Sequence, residues 1–172
     1  VDRCMTCHVG IDKAGFEDAP QPYSTHPKLD FMVGPNSAHP LSEFGCTSCH
    51  AGRGRGTGFY TSAHSPNDEE TAHRWKEELG WEPMHYWEIP MLPKRYTEAG
   101  CYKCHSGNMP LKEAETLSLG LSVFEKAGCY SCHNVGRWAD APKPGPSLYH
   151  LASKTNKDWT YKWILEPRSF RH

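Results

Sequence analysis

Cys46-Thr47-Ser48-Cys49-His50 is one of four copies of a single five-residue pattern. The others are Cys4-Met5-Thr6-Cys7-His8, Cys101-Tyr102-Lys103-Cys104-His105 and Cys129-Tyr130-Ser131-Cys132-His133, and together they use all 8 cysteines. Two thiols three positions apart can each form a thioether to one vinyl group of a porphyrin, while the adjacent imidazole turns under the ring as proximal iron ligand. Paired CxxC units also make zinc sites, and a lone pair can be a disulfide or a thiol redox couple. Neither alternative demands a histidine directly after every second cysteine. The pattern therefore predicts four covalently bound haem c groups, attached at Cys4, Cys7, Cys46, Cys49, Cys101, Cys104, Cys129 and Cys132. His8, His50, His105 and His133 are the proximal ligands.

Composition points the same way. Leu, Ile, Val and Phe total 25 of 172 residues, about 15%, below the roughly 20% under which a chain ordinarily fails to build a core. Disorder normally pairs such a shortage with strong charge, but the net charge here is only -1 and the chain holds 6 Trp and 8 Tyr. Four flat apolar rings in place of aliphatic side chains resolve the conflict, with Trp, Tyr, Pro and Met as their packing. No apolar run reaches the length of a membrane span. Scattered Lys and Arg among equal numbers of acids leave no basic stripe for nucleic acid.

The motifs are separated by 42, 55 and 28 residues, so they are not a regular repeat. A boundary is expected near Asn108 to Pro110, giving a trihaem, His-rich region over 1–109 and a second domain over 110–172. The expected fold class is mostly α with extensive irregular loops, built around haem. One helix is legible in the first region, with Ser65 as N-cap, Pro66 at the first helical position, Asp68 in a capping-box-like pattern and a stop at Gly80. Ala72, Trp75 and Leu79 form its apolar stripe and His73 projects away from it toward solvent. The glycine-dense Ala51–Gly58 stretch lacks the Lys-Ser/Thr of a phosphate loop. It reads as a loop lying on a haem face, with Arg53 or Arg55 available to a propionate.

A low-spin electron-transfer haem takes a second axial ligand, commonly His or Met. His26 and His39 precede proline and so favour extended backbone, a suitable carrier for an imidazole crossing a ring. His64 precedes the helix and His85 follows it. These four are the candidate distal ligands for the three haems of the first region, with Met84, Met91 and Met109 as rivals.

Around the fourth motif, Gly120 and Phe124 precede Gly128-Cys129, and Gly145-Pro146-Ser147-Leu148, Lys154, Trp159 through Ile164 and Pro167 follow. This segment resembles the first two thirds of a class I (mitochondrial-type) cytochrome c domain, and the earlier motifs resemble multihaem cytochromes generally. The class I resemblance implies that the Pro146 carbonyl accepts a hydrogen bond from His133 and that the helix bearing Gly120 and Phe124 crosses a C-terminal helix. The family's distal Met and final helix have no counterpart here. The reading is that the chain continues in a longer protein or a partner completes the site; His172 and His150 are the alternative sixth ligands.

These readings together predict a tetrahaem electron carrier and not an enzyme. It is expected to pass electrons from the His-rich region toward the class I domain, to partner redox proteins or a membrane respiratory complex. The alternative is a multihaem redox enzyme of the nitrite, hydroxylamine or peroxide type, which needs one open iron. Covalent haem attachment takes place after export, so the expected location is extracytoplasmic, the bacterial periplasm. Because Cys4 lies so near Val1, an export signal or membrane anchor is expected upstream.

Overall fold

The computed structural model describes residues 2–140 and 142–170. Among these, secondary structure is helical, with one isolated bridge between Ala51 and Met91 and no strand. The class is mostly α, with short turns of helix separated by irregular loops. Three α-helices exceed two turns: Glu69–Leu79, Glu115–Lys126 and Lys157–Leu165. None is long and apolar enough to cross a membrane.

The chain divides into two compact units, Val1–Ala114 and Glu115–His172. The division follows Ala114 and not the stretch from Asn108 to Pro110, because the intervening residues are tied to the first unit. Ala114 is buried, and Glu113 pairs with Lys28 at 2.7 Å.

Every Cys-x-x-Cys-His motif forms one turn of helix closed by the same bond, from the histidine N–H to the carbonyl of the first cysteine. The four distances are 2.9 Å at His8, 3.0 Å at His50, 2.9 Å at His105 and 3.1 Å at His133. At 100° per residue the two cysteines and the histidine then fall on one side of the turn. In each copy the first cysteine is half-buried and the second exposed.

The legible helix begins later than its sequence suggests. Asp68, in extended backbone, is the N-cap, and its carboxylate accepts from Thr71 N–H at 2.7 Å. A carboxylate one residue ahead of Glu69 caps the helix directly, leaving Ser65 and Pro66 in the approach. Gly80 ends it in the left-handed conformation, at φ 61°. Trp75 packs edge-on against Phe59 and Trp81, while His73 is exposed beside Glu77.

The polypeptide encloses very little. Among the described residues the buried apolar ones are Ala51, Ala63, Leu92 and Ala114, and no large side chain is fully buried. The accessible surface is 12692 Å², whereas two compact bodies of these sizes would together expose roughly 10,000 Å². The excess, roughly 600 Å² per motif, is several times the 150 to 250 Å² that a buried aromatic side chain covers.

Candidate haem sites

The first unit brings each of its three motif histidines to a histidine from a distant segment. Ring centroids are 6.3 Å apart for His8 and His64, 5.9 Å for His26 and His50, and 5.9 Å for His39 and His105. Two imidazoles on one metal, with metal–nitrogen bonds of about 2 Å each, place their centroids roughly 6 Å apart. All three spacings fit. His85 is exposed and stands in no such pair among the described residues.

Local structure explains each partner. After the first motif the chain folds back so tightly that a Cβ on Gly10 would lie 2.0 Å from the Tyr23 carbonyl oxygen. Buried Thr25 donates to Lys13 O at 2.6 Å and accepts from Phe16 N–H at 3.0 Å. His26 N–H donates to Ile11 O at 3.1 Å, and the ring's Nδ1 accepts from Lys28 N–H at 3.0 Å, leaving Nε2 for another partner. His39 is held by its N–H to Phe31 O at 2.8 Å and by the Phe31 and Phe44 rings.

His64 follows Ala63, whose φ of 59° turns the chain sharply. Its ring stacks on Phe59 at 4.3 Å with Nδ1 2.8 Å from Phe59 O, and Trp81 Nε1 donates to its carbonyl at 2.8 Å. Here too Nε2 is the nitrogen left over.

Burial lowers the pKa of His8, with His64 alongside adding to the effect. It does the same for His26 and His64, and for His50, where His26 and His8 contribute. Burial therefore favours the neutral imidazole, the form that binds metal. His8 Nδ1 is buried without a hydrogen bond of good geometry. The Pro22 backbone only partly offsets the burial. Neutral imidazoles held in pairs about 6 Å apart are the donor set that an iron taking two imidazole nitrogens requires. The residues present thus fit haem.

The three motif peptides of this unit lie in series. Cys4 Sγ, Cys46 Sγ and an Asp2 carboxylate oxygen fall within 4.8 Å of one another. As free thiols, Cys46 donates to Cys4, holding Cys4 down at about 7 and pushing Cys46 up. On the other side of the second peptide, a Cβ on Gly100 would lie 2.4 Å from Cys49 O, and Lys103 Nζ reaches Ser48 O at 3.5 Å. The second peptide is therefore the middle one.

The glycine-dense loop packs against the protein's own chain. A Cβ on Gly56 would meet Ser62 at 2.5 to 2.6 Å and one on Gly52 would meet Ser62 O at 3.1 Å. Arg53 lies over the Trp87 ring at 5.6 Å. Met91, a rival ligand, packs its Cβ and Cε against Gly52, and its N–H donates to Ala63 O at 2.8 Å.

In the second unit, the loop after the fourth motif folds under it in three rungs. Gly145 N–H donates to Cys132 O at 2.9 Å, His133 Nδ1 to Pro146 O at 2.9 Å, and Leu148 N–H to Asn134 O at 2.9 Å. Beside Pro146, a cavity of about 520 Å³ is lined in part by Leu148, Leu151, Lys154, Asn156 and Trp159. Phe124 contacts Trp138, which stacks on Tyr130. Gly120 faces open space and Leu119 and Val123 are exposed. His150 is exposed, and His172 lies outside the described residues.

Spacing alone could not join each motif histidine to its partner. His64 faces the first motif and His26 the second, so the pairing crosses the chain order. Asp2 carried no sequence signal beyond its nearness to Cys4. No family model matches the chain, and no curated protein or solved structure matches it.

Proposed function

We propose that this chain is a tetrahaem c-type cytochrome that carries electrons outside the cytoplasm between redox protein partners or within a membrane respiratory complex. The observation that carries the reading is the pairing of all three motif histidines of the first unit with distant histidines at 5.9 to 6.3 Å. Ordinary aromatic contacts also occur at such distances. They give no reason for every motif histidine of one unit to meet another histidine.

When bound, each haem supplies a one-electron iron couple and exchanges electrons with its neighbour. The protein's residues do the rest. His8 with His64, His50 with His26, and His105 with His39 would each hold one haem iron between two imidazoles, a donor set that favours the low-spin state. The second attachment peptide, lying between the first and third, makes its haem the relay of the series. In the second unit Pro146 O orients His133 and strengthens its donation, and Leu148, Leu151 and Trp159 offer an apolar wall. The scarcity of buried side chains and the excess surface support rings as the missing core.

Expression in a host with haem c maturation tests this directly. Intact mass and a pyridine haemochrome assay should give four haems per chain, with three low-spin bis-imidazole signals by electron paramagnetic resonance. Fewer than three such haems in fully matured protein overturns the reading. A spectroelectrochemical titration should place the fourth haem highest in potential, giving electron flow from the first unit toward the second; finding it lowest reverses that direction.

A further inference from the structure

Asp2 precedes the first attachment motif, yet its carboxylate is spent on the second. It accepts from the Cys46 N–H at 2.5 Å, the Thr47 N–H at 2.7 Å and the Thr47 hydroxyl at 3.0 Å. The first two satisfy donors at the start of the second attachment turn, which has no cap from its own neighbours. The next residue, Arg3, donates its N–H to Gly54 O at 2.7 Å, binding the same strand of chain to the loop beyond the second motif.

The surroundings are shaped to the carboxylate. A Cβ on Gly45 would lie 2.7 Å from Asp2 Oδ2, and one on Gly54 would lie 2.1 Å from Oδ1. Gly45 also has φ 64°, which favours glycine. A carboxylate beside two thiols suggests a metal site. Its oxygens, however, are committed to three donors, and among the described residues no fourth ligand joins the group. The arrangement is a clamp between two peptides.

We propose that Asp2 is a positioning residue that locks the first haem attachment peptide against the second and so sets the interaction between their two haems. The proposal rests on the haem reading above. The Cys4 and Cys46 sulfurs lie within 4.8 Å of each other, so a shift of the first peptide relative to the second moves one ring against the other. Electronic and magnetic coupling fall steeply with separation, whereas haem content does not depend on it.

The test uses the matured holoprotein and compares Asp2→Ala, Asp2→Asn and Gly54→Ala with wild type and with Asp68→Ala. The last removes a carboxylate cap of the same kind from a helix away from the motif junction. Readouts are haem count, melting temperature and the spin–spin broadening of the low-spin signals by electron paramagnetic resonance. Wild type is expected to show the first haem's signal broadened by the second. Asp2→Ala and Gly54→Ala should keep four haems and lose that broadening, Asp2→Asn should lose part of it, and Asp68→Ala should lower the melting temperature with the broadening intact. If Asp2→Ala does not mature, Asp2→Asn and Gly54→Ala decide by the same signal. Broadening unchanged in the Asp2 and Gly54 variants, or absent from four-haem wild type, overturns the role of Asp2. Wild type lacking the bis-imidazole haems overturns the haem reading instead.

Discussion

His133 Nδ1 donates to the carbonyl oxygen of Pro146 at 2.9 Å, and the approach is set by Gly145, where a Cβ would lie 2.9 Å from Cys132 O and 3.0 Å from His133 Nδ1. Because Cys132 O is backbone, it cannot yield as a side-chain tip would. Gly145→Ala should therefore push the loop away and weaken the bond that orients the proximal imidazole. Loss of a neutral hydrogen bond is worth about 1 kcal/mol, and a less electron-rich imidazole donates less to iron. The expected result is a rise of roughly 40 mV in the potential of the fourth haem alone, read by spectroelectrochemistry. A potential unchanged from wild type would mean that this bond does not tune the site.

Replacement of the distal histidines should separate the three paired ones from the fourth candidate. His64→Ala, His26→Ala and His39→Ala should each turn one low-spin haem into a high-spin species that binds carbon monoxide, one equivalent per chain more than wild type binds. His85→Ala should leave the spectrum of wild type. A high-spin haem beyond those of wild type in the His85 variant, or no additional one in any of the other three, would contradict the pairing.

The four Cys-x-x-Cys-His motifs were legible because they are local, each within five residues that one helical turn closes. His26, His39 and His64 were legible only as a set. Their assignment depends on how Gly10 lets the chain turn back, how Ala63 takes up φ 59°, and where buried Thr25 is anchored, all of which involve residues far apart in sequence. The Pro146 contact was available from the class I resemblance. Asp2 was invisible for a different reason: an N-cap is recognised by its place just before a helix, and this one caps a turn more than forty residues downstream. The helix start at Asp68 was misplaced because Ser65-Pro66 offers an equally good local signal and only the backbone chooses between them.

Removal of haem should unfold the chain. With three alanines and one leucine as the buried apolar residues among those described, and no large side chain there fully buried, the polypeptide alone cannot offset an ordering cost of about 1 to 2 kcal/mol per residue. Export of the chain to a host without haem c maturation, or a variant with all eight cysteines replaced by alanine, should give far-ultraviolet circular dichroism of a largely unstructured chain and no cooperative melt. Native-like helix content with a sharp transition would show that the protein holds itself together without rings.

Acid should release the clamp at Asp2 in a defined window. Burial alone would raise its carboxyl pKa, but the Thr47 and Cys46 N–H groups and the Thr47 hydroxyl outweigh that and hold it below the ordinary 3.8. The folded form thus binds a proton less readily than the unfolded form. Its stabilisation is complete above about pH 4 and disappears as pH falls through the depressed folded value. Much of the group is reached by solvent, so the effect is modest. Asp2→Asn has no carboxyl to titrate at this position. Melting temperatures of wild type and Asp2→Asn holoprotein, compared from about pH 6 to about pH 2, should differ by a constant amount down to about pH 4 and converge below it. A gap that stays constant to the acid end would show that the charge of Asp2 plays no part in holding the two attachment peptides together.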